Sequence, residues 1–97
     1  MKVKILRSAS RDLIDGYRFY EGQAPGVGVH FVNVLFSEID ALALNGGIHP
    51  VYYGNYHRML SKRFPYAVFY RIDGEYAVVC AVIDTRRDPA WIHERLD

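Results

Sequence analysis

The sequence predicts an α+β domain: an antiparallel sheet with a helical hairpin on one face and a short C-terminal helix, in the order β-α-α-β-β-β-α. Three observations predict it. Apolar residues recur at helical spacing in two adjoining segments of the first half. After Pro50 the pattern changes to aromatic and β-branched runs, two of which flank Asp73-Gly74. Asp88-Pro89 then opens a last short segment with the chemistry of a helix start. The 97 residues suit one domain, 1–97, with no linker, repeat or low-complexity tract.

Each element has its own argument. Val3-Lys4-Ile5-Leu6 reads as a short first strand. Ser8 offers the N-cap of the following helix, with Asp12 in the first turn, where the helix dipole favours an acid. Ala9, Leu13, Tyr17 and Tyr20 make one apolar stripe on a helix running to Gly22, and Gln23-Ala24-Pro25-Gly26 breaks it. Val32, Leu35, Phe36, Ile39, Leu42 and Ala43 fall at i, i+3, i+4, i+7, i+10 and i+11, an amphipathic helix ended by Gly46-Gly47. The short connection folds the two helices into an antiparallel hairpin.

Tyr56 to Ser61 and Tyr66 to Ile72 are the next strands, and Glu75 to Ile83 is the last. With Asp73-Gly74 as the loop, Ile72 faces Glu75, Tyr70 faces Ala77 and Val68 faces Val79. Val68, Ile72 and Val79 then point at the helices and Arg71 at the open face. The last strand is apolar on both faces, which places it inside the sheet. The final helix runs from Pro89 through Leu96 and covers part of the other face.

Composition narrows the function classes. Lys plus Arg is 12 and Asp plus Glu is 11, a net charge of +1, which excludes a histone-like or polyanionic chain but leaves local patches open. The single cysteine, Cys80, excludes an internal disulfide framework and a thiolate metal cluster, and it suits a reducing compartment. Within its mid-strand apolar run it reads as a small buried hydrophobe. The charge-free stretch Gly22 to Ser37 contains Pro, Gln, His and Asn and does not read as a membrane span. No long apolar segment follows Met1-Lys2-Val3-Lys4, so a cytoplasmic location is expected.

His30, His49, His57 and His93 include no i, i+4 pair and meet no thiol pair, so no metal site and no cofactor are expected. Gly26-Val27-Gly28 lacks the Lys-Ser/Thr of a phosphate-binding loop and reads as turn chemistry. The cations Arg58, Lys62, Arg63, Arg86 and Arg87 fall on or beside neighbouring strands and are expected to share one surface. Such a patch suits an acidic partner segment, a phosphate backbone, or a solvated rim paired with Asp84, Asp88 and Glu94. Trp91 reads as a core or lid residue, or as a stacking platform. Tyr52, Tyr53 and Tyr56 read as packing or as an apolar landing for a partner helix.

Three blocks carry a family resemblance: His57-Arg58-Met59-Leu60, Arg63-Phe64-Pro65-Tyr66-Ala67-Val68-Phe69-Tyr70-Arg71-Ile72, and Ala81-Val82-Ile83-Asp84-Thr85-Arg86-Arg87-Asp88-Pro89. Together with Ala9, Asp12 and Leu13 in the first helix, they resemble the RelE/ParE superfamily of type II toxins, on the ParE or plasmid-stabilisation branch. The resemblance implies a growth-inhibiting toxin encoded beside an antitoxin that binds and neutralises it, in an oligomeric complex. It implies one of three activities: a binding toxin of DNA gyrase, a ribosome-dependent mRNA endoribonuclease, or a non-toxic interaction module of the same fold.

RNA cleavage through the 2′-OH needs a proton acceptor, cations for the phosphorane and help for the leaving oxygen. Arg63, Arg71, Arg86 and Arg87 are the candidate cations, and Lys62 or Tyr70 the candidate proton carriers. Arg58, Lys62, Arg63, Arg86, Arg87 and Trp91 are the candidate partner-binding residues. Two departures weigh against cleavage. Ala67 stands where RelE-like nucleases carry an Arg, and Asp84 where many relatives carry a His. A carboxylic acid of reference pKa about 3.9 is a poor proton donor at neutral pH and repels phosphate.

Overall fold

The computed structural model describes all 97 residues. Its strands are β1 (Lys2–Ile5), β2 (Val51–Tyr53), β3 (Tyr56–Leu60), β4 (Tyr66–Asp73) and β5 (Tyr76–Asp84). They form one sheet in the spatial order β1-β5-β4-β3-β2. Helices α1 (Arg7–Gln23), α2 (Val27–Asp40) and the short α3 (Leu42–Asn45) lie between β1 and β2 in sequence, and α4 (Pro89–Leu96) comes last.

The sheet is mixed, which corrects the all-antiparallel expectation. Strands β2 to β5 pair antiparallel, but β1 runs parallel to β5, with Val3 opposite Ala77 and Ile5 opposite Val79. Parallel neighbours need a long crossover. Here almost the whole chain intervenes. A second addition is β2, in the stretch expected to be a connection. Gly54-Asn55 closes a hairpin between Tyr53 and Tyr56, with Gly54 at φ +56°.

The β4–β5 hairpin keeps its predicted faces but not its register. Asp73 pairs with Tyr76 and Ile72 with Ala77, so Gly74-Glu75 is the loop. Gly74 takes φ +58° at the first loop position, where an L side chain would be strained. A bulge at Cys80 then shifts the pairing by one more residue, so Val68 faces Val82 and not Val79. The bulge lets both apolar sides of β5 stay buried.

Two cores result. On the helical side, Ala9, Leu13, Phe31, Leu35, Ile39 and Leu42 meet Met59, Val68, Tyr70, Ala77, Val79 and Val82. On the other side, Ile92 and Leu96 of α4 cover Ala67, Phe69, Ala81 and Ile83, with Tyr52, Tyr53 and Tyr56 packed alongside. The three tyrosines are therefore packing residues. The buried stripe is Phe31, Leu35 and Ile39 of α2 with Leu42 of α3, rotated from the predicted one, and Phe36 is left exposed. The stretch Val27–Asn45 has the length and hydropathy of a membrane span. The helix is interrupted at Ala41, and four of its apolar residues are spent on the core.

The first helix starts two residues earlier than predicted, with Leu6 at the N-cap position, and Ser8 does not cap it. Ser8 Oγ donates to the Cys80 carbonyl at 2.8 Å, and Asp12 accepts from the Val82 amide at 2.9 Å. Both polar groups serve the bulged strand, whose backbone they satisfy. The N-terminus of α2 is capped from outside. Glu21 of α1 accepts from the Gly26 and Gly28 amides, at 3.0 Å each to its nearer oxygen. Asp88 caps α4 as expected, accepting from the Ala90 amide at 2.8 Å with Pro89 in the first turn.

Candidate functional site

The α4 face carries two adjoining hollows. The larger, about 650 Å³, lies between α1, the ends of β4 and β5, and α4. Asp12, Asp15 and Phe19 form its α1 wall; Asp84, Arg86, Arg87, Trp91 and Arg95 face them. Its charges are largely spent internally. Arg86 grips Asp84 with Nε at 3.0 Å and Nη2 at 2.7 Å. Arg95 Nη2 reaches Asp12 Oδ2 at 2.7 Å.

The grip of Arg86, partly offset by burial, holds the Asp84 carboxyl below the ordinary carboxylate range. Asp84 is thus an anion and no proton donor. Burial pushes the Tyr66 phenol in the same cleft up to about 12, so it stays protonated at neutral pH.

The smaller groove, about 180 Å³, runs between β3 and the start of α4. Its floor is Ala67, Phe69, Ile83 and Ile92, and Arg58 and Arg87 stand at its sides. Each guanidinium is mounted on an aromatic ring: Arg58 over Tyr52 at 4.5 Å and Arg87 over Trp91 at 4.2 Å. Neither side chain donates a hydrogen bond within the protein or meets a carboxylate, and Arg58 is half-buried.

The predicted five-cation surface divides. Arg58, Arg86, Arg87 and Trp91 gather around the two hollows. Lys62 and Arg63 line neither; they sit in the β3–β4 turn, where the Lys62 amide donates to Glu38 of α2 at 2.8 Å. Arg71 lies towards the far end of β4 and donates to Cys80 Sγ at 3.1 Å. Burial raises the Cys80 thiol, which suits a packing residue.

Tyr70 is fully buried on the helical side, away from the arginines. Its hydroxyl accepts from the Gly47 amide at 3.0 Å and meets His49 Nδ1 at 2.5 Å. It ties the Gly47–His49 segment to β4, on the sheet face opposite the arginines. His57 stacks on its ring and bonds the His49 carbonyl at 2.7 Å, and burial lowers the His49 pKa. His93 stacks on Tyr53 at 4.3 Å.

A third hollow was not legible in the sequence. Ser10, Leu13, Ile14, Tyr17, Val32 and Phe36 line an apolar groove of about 290 Å³ between α1 and α2. The residues predicted as core, Phe36 and Val32, form its wall. The rotation of the buried stripe on α2, which no spacing rule reports, decides this.

A sheet with a helical hairpin on one face and a short helix on the other is the architecture of the toxins that the sequence resembles. Residues 3–89 match the family model described as ParE toxin of type II toxin-antitoxin system, parDE, so the chain belongs to the ParE toxin family. Its fold is similar to a solved chain described as a chromosomal ParDE TA system from P. aeruginosa, with a TM-score of 0.77 at 20% identity, over 87% of this chain and 95% of that one. No curated protein matches the chain by sequence.

Proposed function

We propose that this ParE-family toxin acts in the cytoplasm by binding its target, DNA gyrase, and that a cognate antitoxin neutralises it in an oligomeric complex. The carrying observation is the condition of the face where RNA chemistry would have to assemble. Ala67 lies buried beneath Ile92 and Leu96, so the nuclease position is part of a core. Arg86 is neutralised by Asp84, Tyr70 faces the opposite side, and Arg63 and Arg71 lie outside both hollows. Four arginines that do not converge on one point cannot jointly stabilise a phosphorane.

Binding needs no such convergence. The apolar groove between α1 and α2 suits the apolar face of a partner helix. The unpaired cations Arg58 and Arg87, with Trp91, suit acidic side chains of the same partner, and Lys62 and Arg63 in the β3–β4 turn offer a second, separate contact; Arg86 takes part only through its pair with Asp84.

Inducible expression of the chain alone in bacterial cells tests the reading. Growth arrest with filamentation, DNA breaks and intact mRNA is expected. Arrest with mRNA cut inside translated frames would establish the endoribonuclease reading instead. Normal growth with antitoxin binding retained would make the chain a non-toxic interaction module.

A further inference from the structure

We infer that Arg58 and Arg87 form a receptor for one carboxylate, supplied by an acidic side chain of the antitoxin; this rests on the antitoxin reading above. A guanidinium has five donors, and a half-buried one ordinarily finds acceptors inside its own protein. Arg95 and Arg86 do so. Arg58 does not, although Tyr52 holds it in place and Phe69 stands opposite it on β4. Stacking on a ring fixes the guanidinium plane and leaves its N–H edge free, the arrangement that suits bidentate capture of a planar anion. Arg87, fixed on Trp91, supplies a second fork to the same groove.

The size and surroundings of the groove select the anion. A volume of about 180 Å³ over an apolar floor admits one side chain and its stem. The apolar floor also strengthens each charged contact above it. A nucleic-acid strand brings a run of phosphates and needs a continuous basic track. Here the neighbouring charges are of the other sign or already used. Asp88 adjoins Arg87, Asp84 holds Arg86, and the Asp97 carboxylate accepts from Tyr53 at 2.6 Å. Two isolated forks among carboxylates suit a single Glu or Asp on a peptide. The Arg58 fork is the deeper of the two and is the anchor; Arg87, more exposed, is the helper.

The test titrates the purified chain with the protein encoded beside it, by calorimetry. Arg58→Ala is expected to weaken binding at least tenfold. Arg58→Lys is expected to recover little of this loss, because an ammonium is a point charge without a fork. Thermal unfolding of each variant shows whether it folds. The acidic residues of the antitoxin are then changed one at a time to amides. One of them is expected to lose affinity against the wild-type chain and none against Arg58→Ala, the signature of a coupled pair. Equal affinity of Arg58→Ala and wild type, or purely additive losses, would overturn the inference while leaving the antitoxin reading standing. Failure of the wild-type chain to bind would overturn both. Loss of binding to a labelled oligonucleotide in Arg58→Ala, with antitoxin affinity unchanged, would assign the groove to phosphate and overturn the carboxylate.

Discussion

Asp12 on α1 and Arg95 on α4 lie 83 residues apart in the chain and meet at 2.7 Å. The same Asp12 oxygen also accepts from the Val82 amide of β5. One carboxylate thus joins the helical hairpin, the sheet and the terminal helix. It does so against its own desolvation, which raises the Asp12 pKa above the ordinary value despite the Val82 amide and the Arg95 cation.

Removing the cation should expose that cost. Arg95→Met leaves a partly buried carboxylate without its counter-charge, for a loss of about 1–3 kcal/mol, below that of a fully buried pair because water reaches both groups. The sign with pH is determined. A folded-state pKa above the unfolded one gives a contribution present below the unfolded value and lost as pH rises through the folded one. Arg95→Met raises the folded value further, so the deficit should grow as pH rises through the carboxylate range. Denaturant unfolding at several pH values measures it.

The Asp84–Arg86 pair should show the opposite sign. Its folded-state pKa is lowered, so its contribution is present above the ordinary carboxylate value and is lost as pH falls through the lowered one. The stability difference between wild type and Asp84→Asn should therefore vanish on acidification. Its size should be well below that of Arg95→Met, because Arg86 is exposed and salt screens the pair.

Tyr70→Phe should cost about 1–3 kcal/mol although the ring still fills its place. The lost hydroxyl leaves the Gly47 amide without its acceptor and His49 without its partner. Amide exchange should localise the effect: Gly47 should lose protection while the β4–β5 ladder keeps it.

Gly28→Ala should destabilise even though alanine is the better helix former by about 1 kcal/mol. An added Cβ would lie 2.6 Å from the Tyr17 carbonyl oxygen and 2.9 Å from Glu21, which caps α2. The backbone of α1 cannot yield without opening the hairpin, so a net loss of about 1–3 kcal/mol is expected in thermal unfolding. Gly22→Ala, with open space around it, is the contrasting control.

The legible part of this protein is what local chemistry writes down. Asp88-Pro89 marked the start of α4, and the apolar periods marked both long helices. The β4–β5 strands and their faces were readable because Val68 and Arg71 differ in polarity. The β2 strand was missed, although Gly54-Asn55 between tyrosines is a two-residue hairpin signal. The bulge at Cys80 was not. Both faces of β5 are apolar, so a shift of one residue leaves no polar residue on the wrong side to report it.

The candidate site divided for the same reason. Sequence order placed Arg58, Lys62, Arg63, Arg86 and Arg87 near strand ends, and strand spacing made one patch plausible. Which cation is spent depends on partners distant in the chain, and on Tyr52 and Trp91 as mounts. The sequence by itself determined the type of every long element, the α+β class and the family, because periodicity, the Asp88-Pro89 cap and the Phe64-Pro65-Tyr66 block are local properties. Only the tertiary structure decided the parallel docking of β1, the register past the bulge, the burial of Ala67 and Tyr70, and the isolation of Arg58 and Arg87 as unpaired forks. Each of these depends on contacts between residues far apart in the chain, whose free energies become comparable only once the chain has closed around two cores.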